Sequence, residues 1–524
     1  MKNSTSITPN ILKLTVTTGL VLFCAVILSL TLHGLKGNPT ATELNTKKWS
    51  DEGPLELSPE RGRYALTYSL FEDKSYQFSD ELGKFAAPDV AEYNGRFVSL
   101  FAPTLSYLVI PGYMLGKQIG LAQVGSFAII AAFAILNFLL IRAIAIKLKA
   151  RTLAANIAGL IYLFASPAFA YAGVLYQHHV STFLILLSIY VLLKFKNLWA
   201  LAVVWFCCAL SISVDNPNLF LMFPIGIFAI GRYVHIEEKI NELHLKVHFL
   251  PLITIAIMAL PIAFFMNFNK QSYGNPLQLS GTVATAKIKN IPLDTANVIA
   301  EKVASASGAI KPHTDKNALS FFQTRDLPNG FYEHFLSVDR GIFVFTPIML
   351  FGVFGMFVLV KMNKPIFQLL LAVIGINIVL YSMWGDPYGG WAFGSRYLIP
   401  SYAILSIFIA LALTKFRKNI LFLVAFLVLL TFSVSVNTIG ALTSNRNPPK
   451  PEILALEALT KRQERYSFDR NMQMLDSNQS KSFVFRETEI RKYLTAWQFT
   501  GILAMTILTV LFVQLGILVW QKEK

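Results

Sequence analysis

The sequence predicts an all-α, polytopic integral membrane protein with about twelve transmembrane helices, and three observations lead to this prediction. Of the 524 residues, 54% are hydrophobic and 15% are charged, and the mean hydropathy is +0.52. Apolar runs of about 20 residues, enough to cross a hydrocarbon core of roughly 30 Å, recur from end to end. Lysine and arginine collect in alternate loops between these runs, which is typical of a chain that crosses a membrane repeatedly.

About twelve runs are predicted to span the membrane, with both termini in the cytoplasm. They lie at about 11–34, 123–146, 153–173, 180–195, 198–214, 217–233, 249–268, 341–360, 365–383, 397–414, 419–441 and 497–520. The segment Thr104 to Leu121 is predicted to lie along the outer interface. If it crossed, the basic cluster that includes Arg142 and Arg151 would face outward, against the positive-inside bias.

Three long polar segments are predicted to be extracytoplasmic and to carry short amphipathic helices. The transmembrane domain, 1–441, contains a first outer loop at 35–122, which includes the interfacial helices, and a second at 269–340. An extracytoplasmic loop follows at 442–496, and a final transmembrane helix with a cytoplasmic tail occupies 497–524. The last loop contains ILALEALTKRQERY, whose leucines recur at helical spacing and predict a surface helix.

Composition argues against several classes of protein. The net charge of +16 does not indicate nucleic-acid binding, because in a polytopic protein Lys and Arg mainly set orientation and contact anionic lipid. Cys24, Cys207 and Cys208 lie within apolar runs, so they offer no extracytoplasmic disulfide framework. The sequence has no HExxH motif and no Cys/His spacing typical of zinc sites.

Polar residues of unusual character collect on the predicted outer side, whereas the apolar runs hold almost no charge at mid-depth. A proton- or ion-coupled transporter would usually need such charge. These polar residues are the acids of the first loop, His178, His179, Asp215, Asp339, Arg340 and the run from Trp384 to Pro400. Asp215 is predicted to cap the helix that begins near Pro217. The sequence therefore favours an outer-facing site.

Four motifs carry a family resemblance. They are ERGRYALTYSL, GRFVSLFAPTLSYLVIPGYMLG, SVDRGIFVFTPIMLFGVFG and WGDPYGGWAFGSRYLIP. With these motifs and this topology, most of 1–441 resembles the GT-C superfamily of polyprenyl-phosphate-sugar glycosyltransferases. The likeness is to the branch of protein mannosyltransferases and lipid A aminoarabinose transferases, glycosyltransferase family 39.

The resemblance implies Glu60 as the catalytic carboxylate. Family members place an acidic residue just before an Arg-Tyr-Ala step in the first outer loop, and here that step is Arg63, Tyr64 and Ala65. Transfer from a lipid phosphate to a hydroxyl needs a base near the attacking oxygen and positive charge near the leaving phosphate. The alternative is that Glu60 is a solvated loop acid paired with a neighbouring arginine.

Asp89 is the second candidate acid, with a helix cap or Asx turn after Pro88 as its alternative role. The paired acids Glu72-Asp73 and Asp80-Glu81 suggest a divalent cation, although no spacing fixes a metal geometry.

The candidate substrate-binding residues are Arg63, Tyr64, His178, His179, Arg340, Trp384, Trp391, Arg396 and Tyr397. Arginine binds phosphate through a fork of donors, and aromatic faces suit sugars or lipid headgroups. The family has a lysine before a proline where this chain has Ala102, so its phosphate-binding role is expected to pass to Arg63, Arg340 or Arg396. Snorkelling to the interface is the alternative for Arg396, solvation for the histidines, and neutralisation by Asp339 for Arg340.

These features lead to the expectation of an inverting membrane glycosyltransferase that acts on the extracytoplasmic face of a plasma membrane. Its partners would be a polyprenyl-phosphate-sugar donor, membrane lipid and a glycan, lipid or protein acceptor, and no nucleic acid is expected. Three alternatives stay open. They are a twelve-span secondary transporter, a glycan polymerase or ligase with a lipid diphosphate-linked donor, and a non-catalytic scaffold of the same fold.

Overall fold

The computed structural model of the protein describes residues 7–239, 242–283 and 321–521. Much of the second predicted outer loop, at 284–320, lies outside the described residues, as do 1–6, 240–241 and 522–524. The described chain is mainly helical, as predicted, and it also contains two small sheets that the all-α prediction omitted.

The α-helices begin and end at the following residues. In the first half of the chain they are Ile7–Thr31, Lys47–Ser50, Ser58–Tyr68, Asp80–Ala86, Thr104–Leu108, Ile110–Gln118, Ala122–Lys147, Thr152–Phe164, His178–Lys194, Leu198–Ile212, Asn218–Ile230 and Ala259–Tyr273. In the second half they are Leu327–Phe335, Ile342–Phe345, Phe351–Met362, Lys364–Ser382, Ile399–Phe416, Ile420–Leu442, Lys450–Thr460, Phe468–Asp476, Phe483–Glu487, Ile490–Tyr493 and Ala496–Trp520. Turns of 3₁₀-helix extend four of them, at Leu250–Met258, Thr324–Asp326, Pro347–Leu350 and Arg396–Leu398.

Within the described residues, six helices are long and apolar enough to cross a membrane. They are Ala122–Lys147, Leu250–Tyr273, Lys364–Ser382, Arg396–Phe416, Ile420–Leu442 and Ala496–Trp520. The other predicted spans correspond to shorter apolar helices, namely Thr15–Thr31, Thr152–Phe164, His178–Lys194, Leu198–Ile212, Asn218–Ile230 and Pro347–Met362. The chain is thus a multi-pass membrane protein.

An irregular segment at 165–177 replaces the second half of one predicted span. The helix that was expected to continue to 173 ends at Phe164, and the chain then runs through turns until a new helix begins at His178. Pro167 disfavours helical backbone at Ser166. Every residue of 165–177 is buried, as a non-helical backbone at membrane depth requires.

The helix Arg396–Phe416, called the central helix below, forms the core of the bundle, and most of its residues are buried. It packs against Thr152–Phe164, Phe351–Met362 and Lys364–Ser382. Gly355 permits one of these contacts, because a Cβ atom there would overlap the backbone carbonyl of Phe408. Arg396 is the first residue of the central helix, so the core helix itself carries a cation at its end.

A three-stranded antiparallel sheet lies in the first predicted outer loop, with the strand order Gln77–Phe78, Arg96–Ser99, Val90–Tyr93. Asn94 and Gly95 form the two-residue turn between the last two strands, and both have positive φ, +52° and +72°. This is the geometry for which Asn-Gly is the preferred pair in a β-hairpin. A second hairpin pairs Val234–Lys239 with Glu242–Val247.

Two short helices occupy the predicted interfacial segment. Thr104–Leu108 and Ile110–Gln118 are each too short to cross a bilayer at about 1.5 Å per residue. The second lies against Ala122–Lys147, with Gly112 facing Gly125 so closely that a Cβ atom on either would overlap the other's carbonyl oxygen. Small residues allow helix backbones to approach in this way.

We expect Gly112→Ala to lower the midpoint of thermal unfolding in detergent, because the added methyl group must push the two helices apart. The cost of such overpacking is about 1–3 kcal/mol. Gly375→Ala is the matched control, since a Cβ atom there meets no atom within 4 Å and alanine favours a helix. Equal midpoints for the two variants would contradict the close contact.

Candidate active site

Glu60 lies in the first turn of the helix Ser58–Tyr68, and its side chain caps that helix. Its Oε2 accepts hydrogen bonds from the backbone N–H groups of Glu56 and Leu57, at 3.0 and 3.2 Å. Pro59 occupies the first turn, where a missing N–H costs nothing. The sequence SPE therefore both starts the helix and fixes the orientation of the Glu60 carboxyl group.

The Glu60 side chain is completely buried, and its Oε1 has no hydrogen-bond partner among the described residues. Burial and then the charge of Glu56 raise the pKa of Glu60 to about 8, although two backbone N–H groups favour its ionised form. The raised pKa makes the ionised carboxylate a stronger base, but the group has to lose its own proton before it can accept one.

Arg63 lies about one turn after Glu60 on the same helix and is 4% exposed. Its Nη1 donates to the backbone carbonyl of Pro59 at 3.0 Å, whereas its Nε has no partner. The guanidinium group lies 4.6 Å from the ring centre of Phe101 and 6.0 Å from that of Tyr176. Burial lowers its pKa to about 10, although the charge of the nearby Asp215 opposes this shift.

Arg396 approaches the same tyrosine from the end of the central helix. Its guanidinium group lies 5.0 Å from the ring centre of Tyr176 and 5.6 Å from that of Tyr397. Its Nε and Nη1 are buried, and neither has a hydrogen-bond partner in the described chain. Two cationic side chains thus share one aromatic ring and retain donors that no protein acceptor uses.

Tyr176 and His178 complete this arrangement. Their rings stack at 5.8 Å with an interplanar angle of 9°, and the Tyr176 hydroxyl and His178 Nε2 are both buried without a partner among the described residues. Burial and then the charge of Glu60 raise the pKa of Tyr176 well above its ordinary value. We call Glu60, Arg63, Tyr176, His178 and Arg396 the Tyr176 cluster.

Further polar and aromatic groups surround the cluster. Asp215 accepts a hydrogen bond from Gln177 Nε2 at 2.9 Å, and its pKa is raised by burial despite the nearby charges of Arg63 and Arg396. The prediction that Asp215 caps a helix is therefore wrong, because the carboxylate is used by Gln177 and Asn218–Ile230 has no side-chain cap. Tyr171 packs edge-on against Tyr176 at 5.1 Å.

The structure brings five of the predicted site residues together. They are Glu60, Arg63, His178, Arg396 and Tyr397, the last of which stacks on Tyr381 at 4.2 Å. They come from distant parts of the sequence, and the irregular segment 165–177 places the histidine and its neighbouring tyrosine at the arginines.

Tyr64 and His179 lie elsewhere. Tyr64 packs against Tyr113, with 5.9 Å between ring centres, on the side of its helix that faces the interfacial helices. His179 Nε2 contacts the backbone carbonyl of Ala168 at 2.8 Å, and its Nδ1 lies 3.3 Å from the Tyr162 hydroxyl. In this structure both residues have the contacts of helix-packing residues.

Arg340 is buried and bonded to the backbone. Its guanidinium group donates to the carbonyl oxygens of Asp339, Tyr388, Gly390 and Asn447, at 2.8 to 3.0 Å. These bonds join the glycine-rich run 384–400 to the chain that follows Ile420–Leu442. Arg340 therefore positions the loop that leads into Arg396.

The predicted tryptophans and the second acid are also engaged in contacts with the protein. Trp384 stacks on Phe321 at 5.3 Å, and Trp391 Nε1 donates to Glu452 Oε2 at 2.5 Å. Asp89 accepts a hydrogen bond from Ser58 Oγ at 2.5 Å, which ties it to the start of the Glu60 helix.

The paired acids suggested for a divalent cation are used in other contacts. Glu72 accepts a hydrogen bond from Tyr113 and pairs with Lys117, and Glu81 pairs with Lys84. In the described ranges, no group of three or more His, Cys, Asp or Glu side chains is arranged to hold a metal ion. One acid of each pair therefore already has a partner within the protein.

Sequence reasoning missed the contribution of Tyr171, Tyr176, Gln177 and Asp215. The prediction placed Tyr171 in the membrane span 153–173 and Tyr176 in the short loop after it. The usable signal was SPAFAYAGVLYQHH, in which a proline, a glycine, two tyrosines and two histidines interrupt an apolar run. Such an interruption favours a buried non-helical segment with a functional role.

Comparison with known proteins gave only distant structural similarities. No protein-family model matches the chain, and no curated protein matches it. ArnT from Cupriavidus metallidurans in the apo state is similar, with 13% identity, a TM-score of 0.42 and coverage of 98% of this chain and 78% of that one. The same protein bound to undecaprenyl phosphate gives 13% identity, a TM-score of 0.41 and the same coverage.

The oligosaccharyltransferase AglB from Archaeoglobus fulgidus, in complex with an inhibitory peptide and a dolichol-phosphate, is also similar. It gives 13% identity, a TM-score of 0.37 and coverage of 88% of this chain and 58% of that one.

We expect Glu60→Gln to become more stable relative to the wild type as the pH rises from about 5 to 8. The pKa of Glu60 is about 8 in the folded protein and about 4.5 in the unfolded chain, so folding retains a proton in this window. The titration of Glu60 therefore lowers the free energy of unfolding of the wild type by up to about 1.4 kcal/mol per pH unit as the pH rises. Glutamine does not titrate.

The measurement is thermal unfolding in detergent across this pH range. Glu92→Gln, at an exposed position on the hairpin, is the matched control and should run parallel to the wild type. If the Glu60→Gln and wild-type curves also ran parallel, Glu60 would not be held in its neutral form.

Proposed function

We propose that the chain is a membrane glycosyltransferase, which transfers a sugar from a polyprenyl-phosphate donor to an acceptor hydroxyl at the extracytoplasmic face and inverts the anomeric centre. The observation that carries this proposal is the pair of guanidinium groups around Tyr176, beside a buried carboxyl group with a free oxygen. Charged groups at buried positions need partners, and a phosphate would supply the acceptors that the protein does not.

The position of the cluster suits a lipid-linked phosphate. Arg396 begins the central helix and His178 begins another apolar helix, so both polar groups lie at the ends of apolar helices. An isoprenoid tail would lie along these helices while its phosphate reaches Arg63 and Arg396. No nucleotide-binding motif is present in the sequence, which favours a lipid-linked donor over a nucleotide sugar.

The chemistry is a single displacement. The acceptor oxygen attacks the anomeric carbon as its proton passes to Glu60 Oε1. The bond between the anomeric carbon and the phosphate oxygen breaks, and its electron pair leaves with the polyprenyl phosphate. Arg63 and Arg396 neutralise the negative charge that grows on that phosphate. One displacement from the opposite side inverts the configuration at the anomeric carbon.

The outer face follows from the charge distribution of the loops. The Glu60 helix belongs to the segment after the first apolar helix, and Lys194 and Arg232 follow apolar helices at ends that the positive-inside bias assigns to the cytoplasm. His178 and Asp215 lie at the opposite ends of those helices.

The test is mass spectrometry of polyprenyl-phosphate lipids and surface glycans from cells that carry the wild type, a deletion, Glu60→Gln, Arg63→Gln or Arg396→Gln. We expect one sugar-phosphate lipid to accumulate and one glycan feature to be lost. Removal of the base should lower transfer about 10²–10⁴-fold, and removal of either arginine about 10²-fold. Arg96→Gln, at an exposed position in the same loop, is the matched control.

The contrary outcomes are distinct. Accumulation of a lipid diphosphate-linked sugar would favour a polymerase or ligase, and altered uptake of a labelled sugar with unchanged lipids would favour a transporter. Full transfer by both arginine variants would overturn the phosphate site. The same assay with and without EDTA measures whether a divalent cation contributes.

A further inference from the structure

The short helix Leu327–Phe335 has the reverse of the polarity that a surface helix usually has. Its inward face carries Glu333 and His334, and both side chains are buried. Phe331 and Tyr332 lie on its outward face and are 49% and 51% exposed. A helix at the boundary between protein and water normally buries its apolar residues and exposes its polar ones. Each face of this helix therefore needs a physical explanation.

The inward polar groups hold the glycine-rich run 384–400. His334 Nδ1 lies 2.7 Å from the hydroxyl oxygen of Ser395, at hydrogen-bond distance. Burial raises the pKa of Glu333, and a hydrogen bond from the side chain of Tyr388 is one of the interactions that oppose this shift. Both partners belong to the run that leads into the central helix. Contacts with this run therefore account for the polar character of the inward face.

The helix lies at the end of a membrane span, which the charges of the loops assign to the extracytoplasmic side. It packs against Lys364–Ser382, and a Cβ atom at Gly330 would overlap the backbone carbonyl of Ser382, the last residue of that span. Val379, three residues before the end of the span, is 47% exposed. A side chain that faces away from the protein on a spanning helix faces lipid. The lipid-facing surface therefore reaches to within about 5 Å, along the axis of the span, of the end on which the short helix packs.

The outward side chains have the composition of a membrane interface. Leu336 and Val338 follow the helix directly in the chain and are 56% and 45% exposed, and the rings of Phe331 and Phe335 stack at 4.3 Å. We call Phe331, Tyr332, Leu336 and Val338 the interfacial patch. Aromatic residues are enriched where a membrane meets water. Removing one large apolar side chain from water stabilises a protein by about 1.5–3 kcal/mol, so a patch of four favours an apolar covering.

Two observations favour lipid over a partner protein as this covering. The helix packs on the end of Lys364–Ser382, so its outward face lies close to a surface that already faces lipid. The residues that precede the helix, Gln323, Thr324 and Arg325, are polar and exposed. Such a change from polar to apolar side chains along a short segment is expected where headgroups give way to acyl chains.

We propose that the helix Leu327–Phe335 lies in the extracytoplasmic interface of the bilayer, with the interfacial patch in contact with lipid at the boundary between headgroups and acyl chains. Its inward face at the same time holds the run that carries Ser395 and Arg396. Lipid on one side and this run on the other explain the reversed polarity of the helix. The assignment does not depend on the proposed transfer reaction.

The test is site-directed spin labelling of the full chain in nanodiscs of phosphatidylcholine and phosphatidylglycerol. One label is attached at a time, in Phe331→Cys or Leu336→Cys, and electron paramagnetic resonance measures its collisions with oxygen and with a water-soluble nickel chelate. Oxygen concentrates in lipid and the chelate in water. A sample without an added cysteine corrects for any label at Cys24, Cys207 and Cys208, which are all buried.

Leu371→Cys, at an exposed position of the span, is the lipid control, and Arg462→Cys, at an exposed position of an outer loop, is the water control. We expect the ratio of oxygen to nickel collisions at both patch positions to be severalfold above that of Arg462→Cys and no higher than that of Leu371→Cys. A ratio equal to that of the water control would place the patch in water and overturn the proposal. Exclusion of both reagents would show that protein covers the patch and would overturn it as well.

Discussion

Two arginines held against one tyrosine ring set the requirements that the surrounding structure has to meet. Arg63 comes from a short helix after the first apolar helix, and Arg396 from the start of the central helix. Placing two like charges close together in a largely buried site is unfavourable, so the packing of the protein has to hold them there. The buried turns of 165–177 supply Tyr176 between them, and Arg340 fixes the loop before Arg396. Packing thus holds two arginines beside one ring, with buried N–H groups that no described residue accepts.

Composition and pattern were sufficient for the membrane-helical class and for the positions of most helices, because runs of apolar residues report directly on burial in lipid. The family resemblance implied Glu60, and the chemistry of the side chains added Arg63, His178 and Arg396 as candidates. A sequence pattern contains no distances between residues. Arg340 was therefore predicted to bind substrate, whereas its guanidinium group donates hydrogen bonds to four backbone carbonyls. Local chemistry was underused as well, since Asn94-Gly95 is a strong hairpin signal within an assumed all-α loop.

The segment 165–177 shows why the assembly of the site around Tyr176 could not be predicted from the sequence. Its residues are apolar enough for a span, and only tertiary contacts satisfy its non-helical backbone. Thr346 Oγ1 donates to the carbonyl of Ala165, and the Tyr171 hydroxyl accepts from the backbone N–H of Phe393. These partners lie far along the chain, so no local window contains the information. The same long-range contacts are what bring Tyr176 to the arginines.

The segment that follows the helix Ile420–Leu442 is joined to Leu30 and Leu32, where the first helix ends, by hydrogen bonds from Ser482 and Phe483. Lys481 of the same segment pairs with Glu56 at 3.0 Å, and the backbone N–H of Glu56 donates to Glu60. During synthesis, the helix that carries Glu60 is made long before this segment. Glu56 therefore stays without its counter-charge until the ribosome has translated the chain as far as Lys481.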